Sequence, residues 1–211
     1  MSKDALTVNE TQEMIIYIAD GIIRSVDILT EADHMGDADH GDGMGRGFAA
    51  IKGHLSSEKI NAIDSLFKIA GMEIMTKCGG AAGAVFGTLF RSGGAALENQ
   101  TEFTTQSLAD FMSEGLVSVK KRGKSDEGDK TMIDALAPAA RKALALTDLP
   151  LYEALPFIAA SAEEGMEKTK EMIATVGKAK TLGERSKGHP DPGAVSVSLI
   201  LKFMNEYVEQ L

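Results

Sequence analysis

Tryptophan is missing from the chain, and aromatic residues make up only 5% of its 211 positions. The core must therefore be built from Ala, Leu, Ile, Val and Met, a mixture that suits packed helices better than sheets. A lone cysteine, Cys78, excludes an internal disulfide and makes a reducing cytoplasm the expected compartment. No apolar run approaches the ~18 residues of a membrane span, so no membrane partner is expected. The polar start Ser2-Lys3-Asp4 lacks the apolar stretch of a signal peptide. Positive charge is in deficit, with 22 Lys and Arg against 31 Asp and Glu and a net charge of −9. That balance argues against nucleic acid as a partner. It also requires any bound nucleotide to be held locally, by metal and backbone N–H groups.

What is present reads as a globular protein. Hydrophobic residues are 44% and charged residues 25%, and the length fits one domain, 1–211. Helical patterns alternate with short glycine-rich loops. Thr7-Val8-Asn9-Glu10 forms a capping box ahead of Ile15, Ile18, Ala19, Ile22 and Val26, predicting a first helix to about Leu29. A second helix starts near Gly43. Others cover about Ile60–Thr76, Ala84–Leu97, Thr105–Lys120 and Thr131–Leu146. Thr147-Asp148-Leu149-Pro150 opens a long seventh helix, to about Thr175, which either begins late or kinks at Pro156. A last helix covers about Gly193–Val208. No stretch alternates with the period of a strand. The expected class is all-α, with about eight helices and antiparallel neighbours joined by short loops.

The sharpest chemical feature is an acidic turn. Asp33, Asp37, Asp39 and Asp42 lie among Gly36, Gly41, Gly43, Gly45 and Gly47. Clustered carboxylates repel unless a cation sits between them, and their oxygens suit Mg²⁺ or Ca²⁺. Glycines let a backbone approach a ligand, and the turn enters a helix N-terminus, where anions are favoured. An EF-hand is excluded by spacing: with Asp37 first, Phe48 stands where the bidentate Glu is needed. The bland alternative is a solvated acidic loop. Walker and dinucleotide glycine motifs are both absent. Gly79-Gly80-Ala81-Ala82-Gly83 is either a phosphate cradle or a close helix contact. Gly128-Asp129-Lys130-Thr131-Met132 is a loop entering a helix, either part of the site or a stretch where Asp129 is a plain N-cap. The basic loop from Leu182 to Gly193 reads as anion-contacting, with Asp191 capping the last helix. His40 is either a ligand or a structural hydrogen-bonder.

Taken together, these loops resemble the nucleotide-binding (L) subunit of dihydroxyacetone kinase. The matching stretches are Gly36-Asp37-Ala38-Asp39-His40-Gly41, Met44 with Arg46-Gly47-Phe48, Gly79-Gly80-Ala81 with Gly83, Arg122-Gly123-Lys124, Gly128–Met132 with Asp134, Leu182–Ser186 with Gly188-His189, and Asp191-Pro192-Gly193-Ala194. They keep the family's order across nearly the whole chain.

The resemblance implies an eight-helix antiparallel up-and-down barrel with a nucleotide site at one rim. It implies ADP or ATP with two Mg²⁺ ions on three aspartates. Asp37 and Asp39 match directly. The third family position falls on Ala32, with Asp33 the nearest carboxylate. Other implied contacts are His40, Gly41, Asp42 and Gly43 for phosphate and ribose, Ala81 and Ala82 for phosphate, Gly123 and Met132 near adenine, and Asp191, Pro192 and Gly193 closing the site. Lys178 and Arg185 are the implied stabilisers of the transferring group. Departures include Ala82 for a usual Ser, Ala84 for Pro and Gly43 for Asn, which shifts weight onto amides and metal. The implied partners are a K-type subunit that holds the ketose acceptor and, for some donors, a phosphohistidine protein of the sugar phosphotransferase system. A homodimer is compatible with it. The alternatives are an erythrulose-type ketose kinase and a regulatory partner of a transcription factor.

Overall fold

The computed structural model describes residues 3–211. Among them the helices are α1 Val8–Arg24, α2 Val26–Ala32, α3 His40–Ser57, α4 Ile63–Lys77, α5 Gly80–Ala95, α6 Thr105–Gly123, α7 Ile133–Ala145, α8 Leu151–Lys168 and α9 Pro192–Glu209. The described residues contain one minimal antiparallel pair of strands, β1 Leu6–Thr7 and β2 Glu102–Phe103, with Leu6 opposite Phe103. The chain is all-α, as its composition predicts.

Eight of these helices close into a ring. α1 packs on α3, each later helix packs on the next, and α9 returns to α1. The short α2 sits beside this succession, against α3 and α9. The wall is sealed where glycines let helices touch backbone to backbone. A Cβ on Gly71 of α4 would stand 2.7 Å from the Arg91 nitrogen and 2.8 Å from the Gly87 carbonyl oxygen of α5. Inside the ring a cluster of buried phenylalanines adds to the aliphatic core that the composition predicts, because the few aromatic residues present are concentrated there. Phe67 lies 4.7 Å from Phe111 and 5.4 Å from Phe103 between ring centroids.

Local chemistry sets the helix ends. Thr7 accepts from the Glu10 amide while the Glu10 carboxylate accepts from the Thr7 amide, closing the expected capping box. The predicted continuous first helix instead breaks at Ser25. Its hydroxyl donates back to the Gly21 carbonyl at 2.8 Å, and its N–H caps α1. α8 starts at Leu151 and continues through Pro156 as one helix. Proline removes one hydrogen bond there, while buried Leu151, Ala154, Leu155 and Ile158 hold the turns on both sides. This helix ends at Lys168, short of Thr175, in a 3₁₀ turn at Thr169–Glu171.

In an up-and-down ring, alternate connections fall at the same end. The connections α2–α3, α4–α5, α6–α7 and α8–α9 therefore share one rim. These are the four loops that carry the sequence motifs.

Candidate functional site

A cleft of about 460 Å³ opens at that rim, a volume within the range of small-molecule sites. All four connections contribute to it. Asp33, Met35 to Asp37, Asp39 and His40 come from α2–α3 and Cys78 to Ala82 from α4–α5. Gly123, Ser125 and Lys130 to Ile133 come from α6–α7. The α8–α9 connection adds Ala174, Val176 to Ala179 and His189 to Gly193.

The carboxylates converge. Ligand oxygens of Asp33, Asp37 and Asp39 lie within 4.8 Å of one another, so a single cation could touch all three. The turn closes on Asp33: its carbonyl accepts from the Gly36 amide at 2.8 Å and from the amide of Ala38, which takes a left-handed φ of +56°, at 3.3 Å. The Asp33 carboxylate also accepts from the His40 amide at 3.2 Å, at the start of α3. An all-oxygen donor set fits Mg²⁺. Lys178 pairs with Asp37 and stands 3.8 Å from Asp39, supplying a positive charge beside the cluster.

The glycines of the acidic turn have a different job from the one expected. Gly41, Gly43 and Gly47 are helical, because α3 begins at His40, three residues before the predicted start. They allow close packing. A Cβ on Gly41 would meet Thr30 Oγ1 at 2.1 Å and the Val26 carbonyl at 2.4 Å, and one on Gly43 would meet the Cys78 carbonyl at 2.9 Å. Backbone freedom is needed instead at Gly79 and Gly80, with φ of +76° and +58°. That turn starts α5 with no side-chain cap, leaving its first amides available at the cleft wall. Arg46 of α3 braces the turn from below, donating to the Cys78 carbonyl at 3.2 Å.

His40 is buried, and its Nε2 lies 2.7 Å from Ser196 Oγ on α9. Burial pushes its pKa down to about 4, against the pull of the Pro192 carbonyl, so the neutral ring links α3 to α9. Asp129 does not cap α7. Its carboxylate accepts from the Asp126 amide and from Thr175 Oγ1, tying two loops together. The turn before α7 is held by Asp134, which accepts from Gly128 and Thr131 amides at 2.5 and 2.7 Å. Asp191 does cap α9, accepting from Ala194 at 2.8 Å with Pro192 following. Burial pushes the pKa of its carboxyl up to about 7.

Thirteen of the sequence-derived candidates line the cleft: Asp33, Asp37, Asp39, His40, Gly43, Ala81, Ala82, Gly123, Met132, Lys178, Asp191, Pro192 and Gly193. Gly41, Asp42 and Arg185 do not. Gly41 is packed against α2, and Asp42 and Arg185 are exposed. Motif reading assigned no role to Arg46, Lys130, Val85, Phe86, Val119 or Ser186, which also line it. Arg46, Lys130 and Ser186 stand inside stretches that match the family, which is their only signal in the sequence.

Comparison with known proteins places the chain in a family. The chain is 38% identical over 178 residues to a Listeria innocua protein described as the ADP-binding subunit DhaL of PEP-dependent dihydroxyacetone kinase 1, covering 84% of this chain and 85% of that one. It is 36% identical over 179 residues to the corresponding Escherichia coli K12 subunit, covering 83% and 85%. The dihydroxyacetone kinase of C. freundii, solved in complex with AMP-PNP and Mg²⁺, superposes with a TM-score of 0.74 at 26% identity. That match covers 93% of this chain but only 33% of the longer C. freundii chain. The DAK2 domain model matches residues 34–206, and the chain belongs to the DAK2 domain family.

Proposed function

We propose that residues 1–211 act as the nucleotide-holding subunit of a dihydroxyacetone kinase. The observation that carries this reading is the meeting, in one cleft, of three aspartates with ligand atoms within 4.8 Å and the uncapped N-terminus of α5. Phosphoryl transfer needs positioning and charge neutralisation more than covalent chemistry from the protein. This rim offers both, and no nucleophile is required of it.

Asp33, Asp37 and Asp39 would hold two Mg²⁺ ions. Bound there, the ions would neutralise the phosphate oxygens of ADP or ATP. The amides of Gly80, Ala81 and Ala82 face the same phosphates and take up the role of the polar side chains missing at Ala82 and Gly43. Met132, Val85, Phe86 and Val119 supply an apolar wall for the base, beside Gly123. Lys178 turns from Asp37 to the transferring group as charge develops there. Asp191, Pro192 and Gly193 close the far side. The acceptor hydroxyl comes from dihydroxyacetone held on a separate K-type subunit. The donor is a phosphohistidine protein that rephosphorylates retained ADP, a choice supported by the PEP-dependent relatives.

The test is reconstitution. The chain is mixed with a K-type subunit, dihydroxyacetone, Mg²⁺ and either ATP or the phosphohistidine protein, and phosphorylated product is measured. Product formed only with the K-type subunit and Mg²⁺ supports the reading. The phosphohistidine route requires in addition that ADP survive dialysis on the purified chain. No product with either donor would contradict the reading.

A further inference from the structure

Lys130 is buried to 5% exposure and has a left-handed φ of +61°. Both features oppose a lysine at this position, so the surrounding contacts must over-determine it. Its ammonium donates to the main-chain carbonyl of Thr169, at the end of α8, and to that of His189 at 2.6 Å, just before α9. These two carbonyls are the two feet of the connection that carries Lys178 across the cleft. Neighbouring bonds fix the same feet. The Asp191 amide donates to Thr169 Oγ1 at 2.9 Å, and the Gly188 amide to the Lys170 carbonyl at 2.7 Å. Lys130 itself stands two residues before Met132, whose Cβ would be only 3.1 Å from a Cβ on Gly193. One side chain thus joins the α6–α7 loop, the end of α8 and the entry to α9.

We propose that Lys130 is a positioning residue: its ammonium clamps the α8–α9 connection to the base of α7 and so sets the width of the nucleotide cleft. This rests on the nucleotide-holding function proposed above. The lysine lines the cleft, yet two of its three protons point at carbonyls, so its charge works through the loops it holds. Burial pushes its pKa down, with Asp191 and Asp134 opposing.

Lys130→Gly is the informative variant. It removes the ammonium, and glycine tolerates the positive φ, so the fold is spared backbone strain. Mg²⁺-ADP binding is measured by calorimetry, and amide hydrogen exchange at Gly188 and Asp191 is measured without nucleotide. The expected result is about tenfold or more weaker Mg²⁺-ADP binding, the usual scale for losing a supporting contact behind a site. Faster exchange at both amides should accompany it, with both effects largely restored in Lys130→Arg. Weaker binding with unchanged exchange would mean direct ligand contact and overturn the clamp. Faster exchange with unchanged binding would reduce Lys130 to a structural residue and overturn it as well. A wild-type chain that binds no Mg²⁺-ADP would overturn the functional reading, and positioning with it, while exchange in the variant would still report the contact.

Discussion

At the residue scale, the site works by keeping costly groups together. Asp37 and Asp39 are exposed carboxylates beside Asp33, and Lys178 is their counter-charge in the protein itself. Asp37→Ala and Asp39→Ala should each weaken Mg²⁺-dependent ADP binding by roughly 100-fold. Their thermal midpoints should not fall, because removing one of three like charges relieves repulsion. A midpoint lowered together with binding would point to misfolding instead. Asp191 gives a pH signature. The groups facing its carboxyl are Asp134, which raises the pKa, and Lys130 and the Gly193 and Ala194 amides, which lower it, but burial dominates. The folded pKa of about 7 lies above the ordinary 3.8, so the folded state favours the protonated acid. The stability this contributes is fully present below about pH 4 and is lost as the pH rises through about 7. Asp191→Asn keeps an N-cap and should flatten that decline in thermal melts between these limits. An unchanged slope would show that other groups cause it.

At the element scale, α3 is the pivot. Its first turn carries Asp39 and His40, and Gly41 lets it lie directly on α2. Gly41→Ala should cost about 1–3 kcal/mol of stability by overpacking, and should weaken Mg²⁺ binding by driving Asp33 away from Asp37 and Asp39. Thr7→Ala is the contrasting case. It should cost about 1 kcal/mol in chemical denaturation by uncapping α1, and leave nucleotide binding unchanged. These helices were legible because their apolar residues recur at helical spacing and their caps have distinctive side chains. Less legible were the boundaries set by contacts distant in sequence. The break at Ser25 depends on a hydroxyl choosing a backbone carbonyl. The early starts of α3 and α5 depend on packing that the glycine spacing only hinted at. The Lys178–Ser186 3₁₀ segment has no period to read, and Lys130 finds its partners 39 and 59 positions away.

At the scale of the whole molecule, ring closure turns a list of motifs into a site. Because α9 returns to α1 and neighbours alternate in direction, four loops spread along the chain from Asp33 to Gly193 meet at one rim. The acidic turn was readable as a cation loop. Its relation to the α5 N-terminus and to Asp191 came only from resemblance until the ring set them around one cleft. A net charge of −9 makes that local arrangement necessary, since an anionic nucleotide gains nothing from the field of the whole chain. The most direct measurement is therefore calorimetric titration of ADP into the wild-type chain, with Mg²⁺ and with Mg²⁺ chelated, repeated in Asp37→Ala. The prediction is one-to-one binding that requires Mg²⁺ and is weakened roughly 100-fold in the variant. ADP binding of equal strength without Mg²⁺, or undiminished in Asp37→Ala, would contradict a metal-nucleotide site on the aspartate turn.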